Sequence, residues 1–174
     1  MMNPAHPSGN RTHTGGVRHY GERVFNADRH DPYQAAGKYR EPTQCEDCGA
    51  VYHRGRWEWG SAPADAQAAL CPACRRVRDK LPAGRVVLEG PFVAIHRSDL
   101  MNLVRNEAAH EGREHPLHRL MEVEERPDRV DLATTDIHLP RRIGDALRHA
   151  FHGDPAFLYR DEANFMRGNW TRER

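Results

Sequence analysis

Residues 45–74 read CEDCGAVYHRGRWEWGSAPADAQAALCPAC, two Cys-x-x-Cys knuckles separated by 22 residues. They hold all four cysteines of the chain: Cys45, Cys48, Cys71 and Cys74. Each knuckle sets two thiolates on one tight turn, and two knuckles complete a tetrahedral sulfur set of the kind zinc takes. Gly49 directly follows the first knuckle, where the turn calls for positive φ. Pro72 inside the second fixes φ and removes a donor. The expected cofactor is one structural Zn2+ held by Cys45, Cys48, Cys71 and Cys74. Four thiolates close the coordination shell, so such an ion folds the segment and does no chemistry.

Other uses of the cysteines fit less well. The N-terminal residues MMNPAHPSGNRTH contain no apolar run, which argues against a secretory leader and a disulfide framework. Glu41-Pro42-Thr43-Gln44 is not the strand that precedes a thioredoxin-like redox pair. Iron–sulfur ligation shares the thiolates, but the two-plus-two spacing favours zinc. His53 is an alternative ligand that four cysteines make unnecessary. With no membrane-length apolar run either, the expected location is the cytoplasm.

Working outward, residues 1–40 are rich in Gly, His, Arg, Asn and Pro and show no period. They read as a disordered basic arm with interspersed aromatics, which either lies along RNA or is a solvated tail. His30-Asp31-Pro32-Tyr33 is a turn signal able to pack on the cysteine segment. Residues 41–82 form the ribbon itself. Val51-Tyr52 is a short strand, Arg54-Gly55-Arg56-Trp57-Glu58-Trp59 is a turn and a second strand with two tryptophans, and Ala62–Leu70 is a helix or loop. Alternation sets Trp57 and Trp59 on one face, either over the zinc core or as platforms for bases. Arg75-Arg76-Val77-Arg78-Asp79-Lys80 is the sharpest basic cluster. It is either a phosphate-contacting surface or a solvated helix face. The expected nucleic-acid contacts are Arg54, Arg56, Trp57, Trp59, Arg75, Arg76, Arg78 and Lys80.

Residues 83–174 turn regular after Pro82-Ala83-Gly84. Arg85–Glu89 is an apolar strand. A helix capped by Ser98 carries Leu100, Leu103, Val104 and Ala108 on one side and ends at Gly112. Leu120–Glu124 and Arg129–Thr134 alternate about a turn at Pro127 and make a hairpin. Thr135 or Asp136 caps a second helix striped by Leu139, Ile143, Ala146, Leu147, Ala150 and Phe151 and stopped by Gly153. Final strand material lies at Phe157–Tyr159 and Asn164–Trp170. The order βαββαβ predicts a ferredoxin-like α+β domain behind the zinc ribbon: an antiparallel sheet with two helices on one face.

Charge divides the chain. Residues 1–84 hold 12 Arg/Lys against 9 Asp/Glu, and residues 85–174 hold 14 against 16. Attraction to nucleic acid therefore belongs to the first half. The second half offers an acidic hairpin (Glu122, Glu124, Glu125, Asp128, Asp131) and no aromatics on its central strands. A protein-docking role suits it better than base stacking.

His110-Glu111-Gly112-Arg113-Glu114-His115 imitates a zinc-protease helix, but its histidines are five apart and Gly112 is expected to end the helix. His110, His115 and His118 read as a weak metal group or a polar loop. The chain has no Gly-x4-Gly-Lys-Ser/Thr loop, no Gly-x-Gly-x-x-Gly and no Gly-x-Ser-x-Gly, and no acid–base pair stands out.

The run Glu41-Pro42-Thr43, Cys45-x-x-Cys48-Gly49-Ala50-Val51-Tyr52, Gly55-Arg56-Trp57-x-Trp59 and Cys71-Pro72-x-Cys74 resembles a group of small bacterial zinc-ribbon proteins. Thr134-Thr135-Asp136-x-His138-Leu139, Ile143-Gly144-x-Ala146-Leu147 and Asn169-Trp170-Thr171-Arg172 extend the likeness over about residues 30–172. Members are sometimes described as ATPases, for which this chain offers no nucleotide loop. More distantly, the segment is similar to the zinc-ribbon adaptor of large-ribosomal-subunit maturation, the nonsense-mediated-decay-three type. That adaptor has more knuckles and further domains. The resemblance implies a non-enzymatic partner of RNA or a ribosomal subunit. The alternative is a zinc-ribbon module that docks protein through the acidic α+β domain.

Overall fold

The computed structural model describes residues 31–33, 39–160 and 164–173. Most of the expected disordered arm falls outside the described residues. Among the described residues there are two sheets, each mixed, and three helices.

The first sheet belongs to the cysteine segment. Its strands are β1 (Thr43–Cys45), β2 (Val51–His53), β3 (Arg56–Glu58) and β4 (Gln67–Ala69), in the order β3-β2-β1-β4. β1, β2 and β3 pair antiparallel, while β4 runs parallel to β1. The last strand corrects the expected helix or loop at Ala62–Leu70. Its three residues have little strand preference, so pairing with β1 sets their conformation. Helix α1 (Pro72–Asp79) follows, with Pro72 in its first turn and Lys80 closing it at φ 54°.

Beyond it lie β5 (Gly84–Glu89), α2 (Pro91–Glu114), β6 (Leu120–Arg126), β7 (Arg129–Thr134), α3 (Leu139–Phe151), β8 (Asp154–Arg160) and β9 (Phe165–Thr171). The sheet order is β6-β7-β5-β9-β8. The expected hairpin β6–β7 is there, with β7 antiparallel to both β6 and β5. The four-stranded antiparallel βαββαβ sheet is not what forms. After α3 the chain makes a second hairpin, and β9 enters beside β5, parallel to it, leaving β8 at the edge. Burial explains the choice. β9 buries Met166, Gly168 and Trp170, whereas no residue of β8 is fully buried. The strand with the apolar load takes the inner place.

Helices α2 and α3 pack on each other and on this sheet. Their shared core includes Val86, Leu88, Leu100, Val104, Val130, Leu132, Ile143, Leu147 and Trp170. Helix α3 starts later than the expected cap at Thr135 or Asp136, with His138 as its N-cap, but Asp136 Oδ1 still accepts the backbone N–H groups of His138 and Leu139 at 2.7 and 2.9 Å. Helix α2 departs from expectation at both ends. It begins at Pro91, seven residues before Ser98, and bends at His96 (φ −109°, ψ 19°). It also runs through Gly112 to Glu114. A helical glycine costs about 1 kcal/mol. Its neighbours hold the turn: the Gly112 carbonyl accepts Trp59 Nε1–H at 2.7 Å, and Glu111 is bonded to the next helix.

Candidate metal centre

The four cysteines come together where two local structures meet. Cys45 ends β1 and Cys48 lies on the turn behind it. Gly49 leaves that turn at φ 77°, and its N–H donates to the Cys45 carbonyl at 2.9 Å. Cys71 precedes α1 in extended conformation and Cys74 sits in the first turn of the helix. All four Sγ atoms lie within 4.8 Å of one another and no disulfide joins them. Four sulfurs about 2.3 Å from a central ion stand about 3.8 Å apart along each tetrahedral edge. The Cys48–Cys71 separation is 3.8 Å. That separation matches a tetrahedral edge, and the group as a whole is compact enough to hold a metal ion.

Backbone donors aim at the sulfurs. Cys71 N–H donates to Cys45 Sγ at 3.3 Å, and Cys74 N–H to Cys71 Sγ at 3.4 Å. Burial pushes the Cys45 thiol up, but backbone N–H groups of Cys71, Cys48 and Asp47 outweigh it and bring its pKa down to about 7. Burial raises Cys71 and Cys74.

A residue from far along the chain completes the centre. Arg119, between α2 and β6, directs Nη2 at Cys71 and Cys74, 3.4 Å from each sulfur, and stands 3.9 Å from Cys48. Burial works against its charge, yet the bond to Cys74 holds its pKa above the ordinary arginine value. Leu117, two residues earlier, packs against the same cluster. No local motif announced Arg119, which lies 45 residues after Cys74. An arginine in a histidine-rich loop carries no spacing signal.

The expected nucleic-acid contacts fall into different environments. Trp57 is buried among Tyr39 and Tyr52, with ring centroids 5.0 to 5.5 Å apart, so it covers the cysteine core and is no base platform. Trp59 lies beyond the end of β3 and is 43 % exposed; the expected shared face does not extend to it. Arg76, expected in solvent, is 3 % exposed. It pairs with Asp31, donates to the Leu81 carbonyl at 3.1 Å, and lies 4.4 Å over the Tyr33 ring. The turn at Asp31–Tyr33 thus packs on α1, where Tyr33 Oη donates to Asp79 at 2.8 Å. Arg78 is exposed but held by Asp47, and Arg56 by Glu58. Arg54 and Lys80 are exposed and Arg75 half-buried. Among the described residues none of these three side chains has a carboxylate partner, though the Arg54 backbone N–H donates to Glu41 at 2.7 Å. His53 lies beside Glu41 at 3.9 Å, outside the cysteine group.

Among the described residues no helix is long and apolar enough to cross a membrane. Compared with known proteins, the chain matches no family model, no curated protein and no solved structure.

Proposed function

We propose that the chain is a zinc-stabilised, non-enzymatic protein that associates with RNA in the setting of a ribosomal subunit. One observation carries the first half of this reading. Four sulfurs within 4.8 Å of one another, with backbone and Arg119 donors on them, suit a closed Zn2+ shell that leaves no position for substrate. In this reading the segment is a zinc ribbon and the ion is structural. The contact surface is Arg54, Arg75 and Lys80, with Arg56 and Arg78 beside them on the same short elements. Trp57 and Arg76 are excluded from it by burial. The fold behind the ribbon is α+β with a ferredoxin-like first half, β5-α2-β6-β7, in the cytoplasm of a bacterial cell.

The test is co-sedimentation of the intact protein with ribosomal subunits across a salt series. Each phosphate contacted contributes a slope of roughly −0.7 to −0.9 in log affinity against log salt. Wild type should travel with a subunit and be released by salt. Replacing Arg54, Arg75 and Lys80 together by Ala should flatten the slope. Binding that ignores salt rules the reading out. The acidic hairpin supports a second reading, docking of a protein partner: Glu122, Glu124 and Glu125 are exposed on β6. A stoichiometric partner recovered from nuclease-treated lysate, and lost on charge reversal of those three, favours that one.

A further inference from the structure

The end of α2 carries a second group of metal-ligand side chains, unrelated to the cysteines. Glu111 and His115 stand one turn apart, and His115 N–H donates to the Glu111 carbonyl at 2.8 Å. The chain then turns at Pro116-Leu117, with His118 N–H bonded to the His115 carbonyl at 2.9 Å, and His118 returns to the same spot. His118 Nδ1 lies 2.9 Å from Glu111 Oε1, and His115 Nε2 lies 3.7 Å from that oxygen. The three candidate ligand atoms fall within 4.8 Å of one another.

Donors about 2.0–2.1 Å from a tetrahedral ion stand about 3.3 Å apart. The two separations bracket that value, so small side-chain rotations close the triad on an ion. Glu111 is 4 % exposed, a depth at which a carboxylate needs partners. Arg142 of α3 supplies one at 2.7 Å, bound to Oε2, and so leaves Oε1 turned to the histidines. Such an outer partner fixes a ligating carboxylate in place. Arg142 itself lines the space in front of the triad. A cavity of about 460 Å³ adjoins the triad, with His138, Arg141, Asp145 and Met166 on its walls.

The sequence grouped His110 with His115 and His118 as a weak metal group or a polar loop. His110 instead lies exposed with Nδ1 near Arg113, and takes no part. The working spacing is Glu111-x3-His115-x2-His118, on a helix that Gly112 does not break.

We propose that Glu111, His115 and His118 bind a divalent first-row transition-metal ion, Zn2+ in the first instance, with a coordination position open to the cavity. Two histidines and a carboxylate suit such an ion better than Mg2+ or Ca2+, which prefer all-oxygen shells. An open N2O site also exchanges its metal more readily than a closed four-sulfur shell. The inference does not depend on the RNA reading.

The experiment uses the full chain, stripped and reloaded with Co2+ or Zn2+. Wild type should take up two equivalents. One should carry the intense thiolate-to-cobalt absorption and the other only weak visible bands. Glu111→Gln and His118→Ala should each lose the second equivalent and keep the thiolate absorption. In wild type, zinc added beyond one equivalent should shift the ring resonances of His115 and His118 and leave those of His110 in place. Uptake of a single equivalent, or histidine resonances unmoved by excess zinc, overturns the proposal and leaves Glu111–His118 as a hydrogen-bonded pair. A second equivalent that survives both substitutions overturns it too.

Discussion

At the scale of single residues, Arg119 carries a prediction that the cysteines alone do not. Four thiolates around a dication leave two negative charges, and one guanidinium offsets half of that through charge-assisted N–H···S bonds. Burial raises the Cys74 thiol, and Arg119 is the strongest influence pulling it back. Removing that cation therefore raises Cys74 further. Protons then compete with metal at higher pH, because a ligand thiol must lose its proton to bind. Arg119→Met should weaken metal retention about 10- to 100-fold, the usual range for an outer partner of a metal ligand. The pH of half-release, followed with a chromogenic chelator, should move upward. An unmoved midpoint would reduce Arg119 to packing. The two kinds of residue differed in legibility for a physical reason. The cysteines were readable because knuckle geometry is local. Arg119 and the buried place of Arg76 were not, because those roles arise from contacts 45 residues apart; the turn at Asp31 was expected to pack on this segment, and Arg76 is a charge inside only because Asp31 is there to meet it.

Secondary-structure elements were legible where side chains impose a period. β5 was read from an apolar run, β7 from alternation and α3 from its stripe, of which Leu139, Ile143 and Leu147 are buried, Ala146 and Phe151 half-buried and Ala150 exposed. β4 was not, since Gln67-Ala68-Ala69 has no period and takes its form from β1. Nor could a one-strand reading of the C-terminal stretch foresee that β8 and β9 form a hairpin with β9 inside. Two glycines expose the constraint on that hairpin. A Cβ on Gly144 of α3 would meet Phe157 Cζ of β8 at 2.2 Å, and a Cβ on Gly168 of β9 would meet Cε1 of the same ring at 2.8 Å. The phenyl ring occupies a notch that only glycine leaves open. Helix propensity alone says Gly144→Ala stabilises by about 1 kcal/mol. Overpacking says it destabilises by about 1–3 kcal/mol, and overpacking should win, because the ring is held from two sides. Denaturant unfolding decides by its sign. Adding Phe157→Leu to Gly144→Ala should recover part of the loss, a non-additivity expected of residues in contact.

For the whole molecule, the question is whether the two sheets fold as one unit. Their cores are separate. One consists of Cys45, Ala50, Tyr52, Trp57, Cys71, Ala73 and Cys74, and the other spans Val86 to Trp170. The first rests on four strands of three residues each and one short helix. That is too little apolar surface to hold a segment of about 40 residues without a metal or cross-links. The second has a five-stranded sheet and two packed helices and needs no such support. Removing metal with a strong chelator should therefore unfold residues 41–81 and spare the ladders of β5, β7 and β9. Hydrogen exchange resolves the outcome by segment. Protection should vanish through β1, β2 and α1, and Trp57 fluorescence should move to that of a solvated indole. Protection at Val86–Leu88 and Val130–Leu132 should persist. Loss should also reach residues 115–119, because Leu117 and Arg119 lean on the cysteine cluster from the other side. Collapse of β5 and β7 together with β1 and β2 would show instead that the Arg119 and Trp59 contacts bind both sheets into one cooperative body, with the metal sustaining the entire fold.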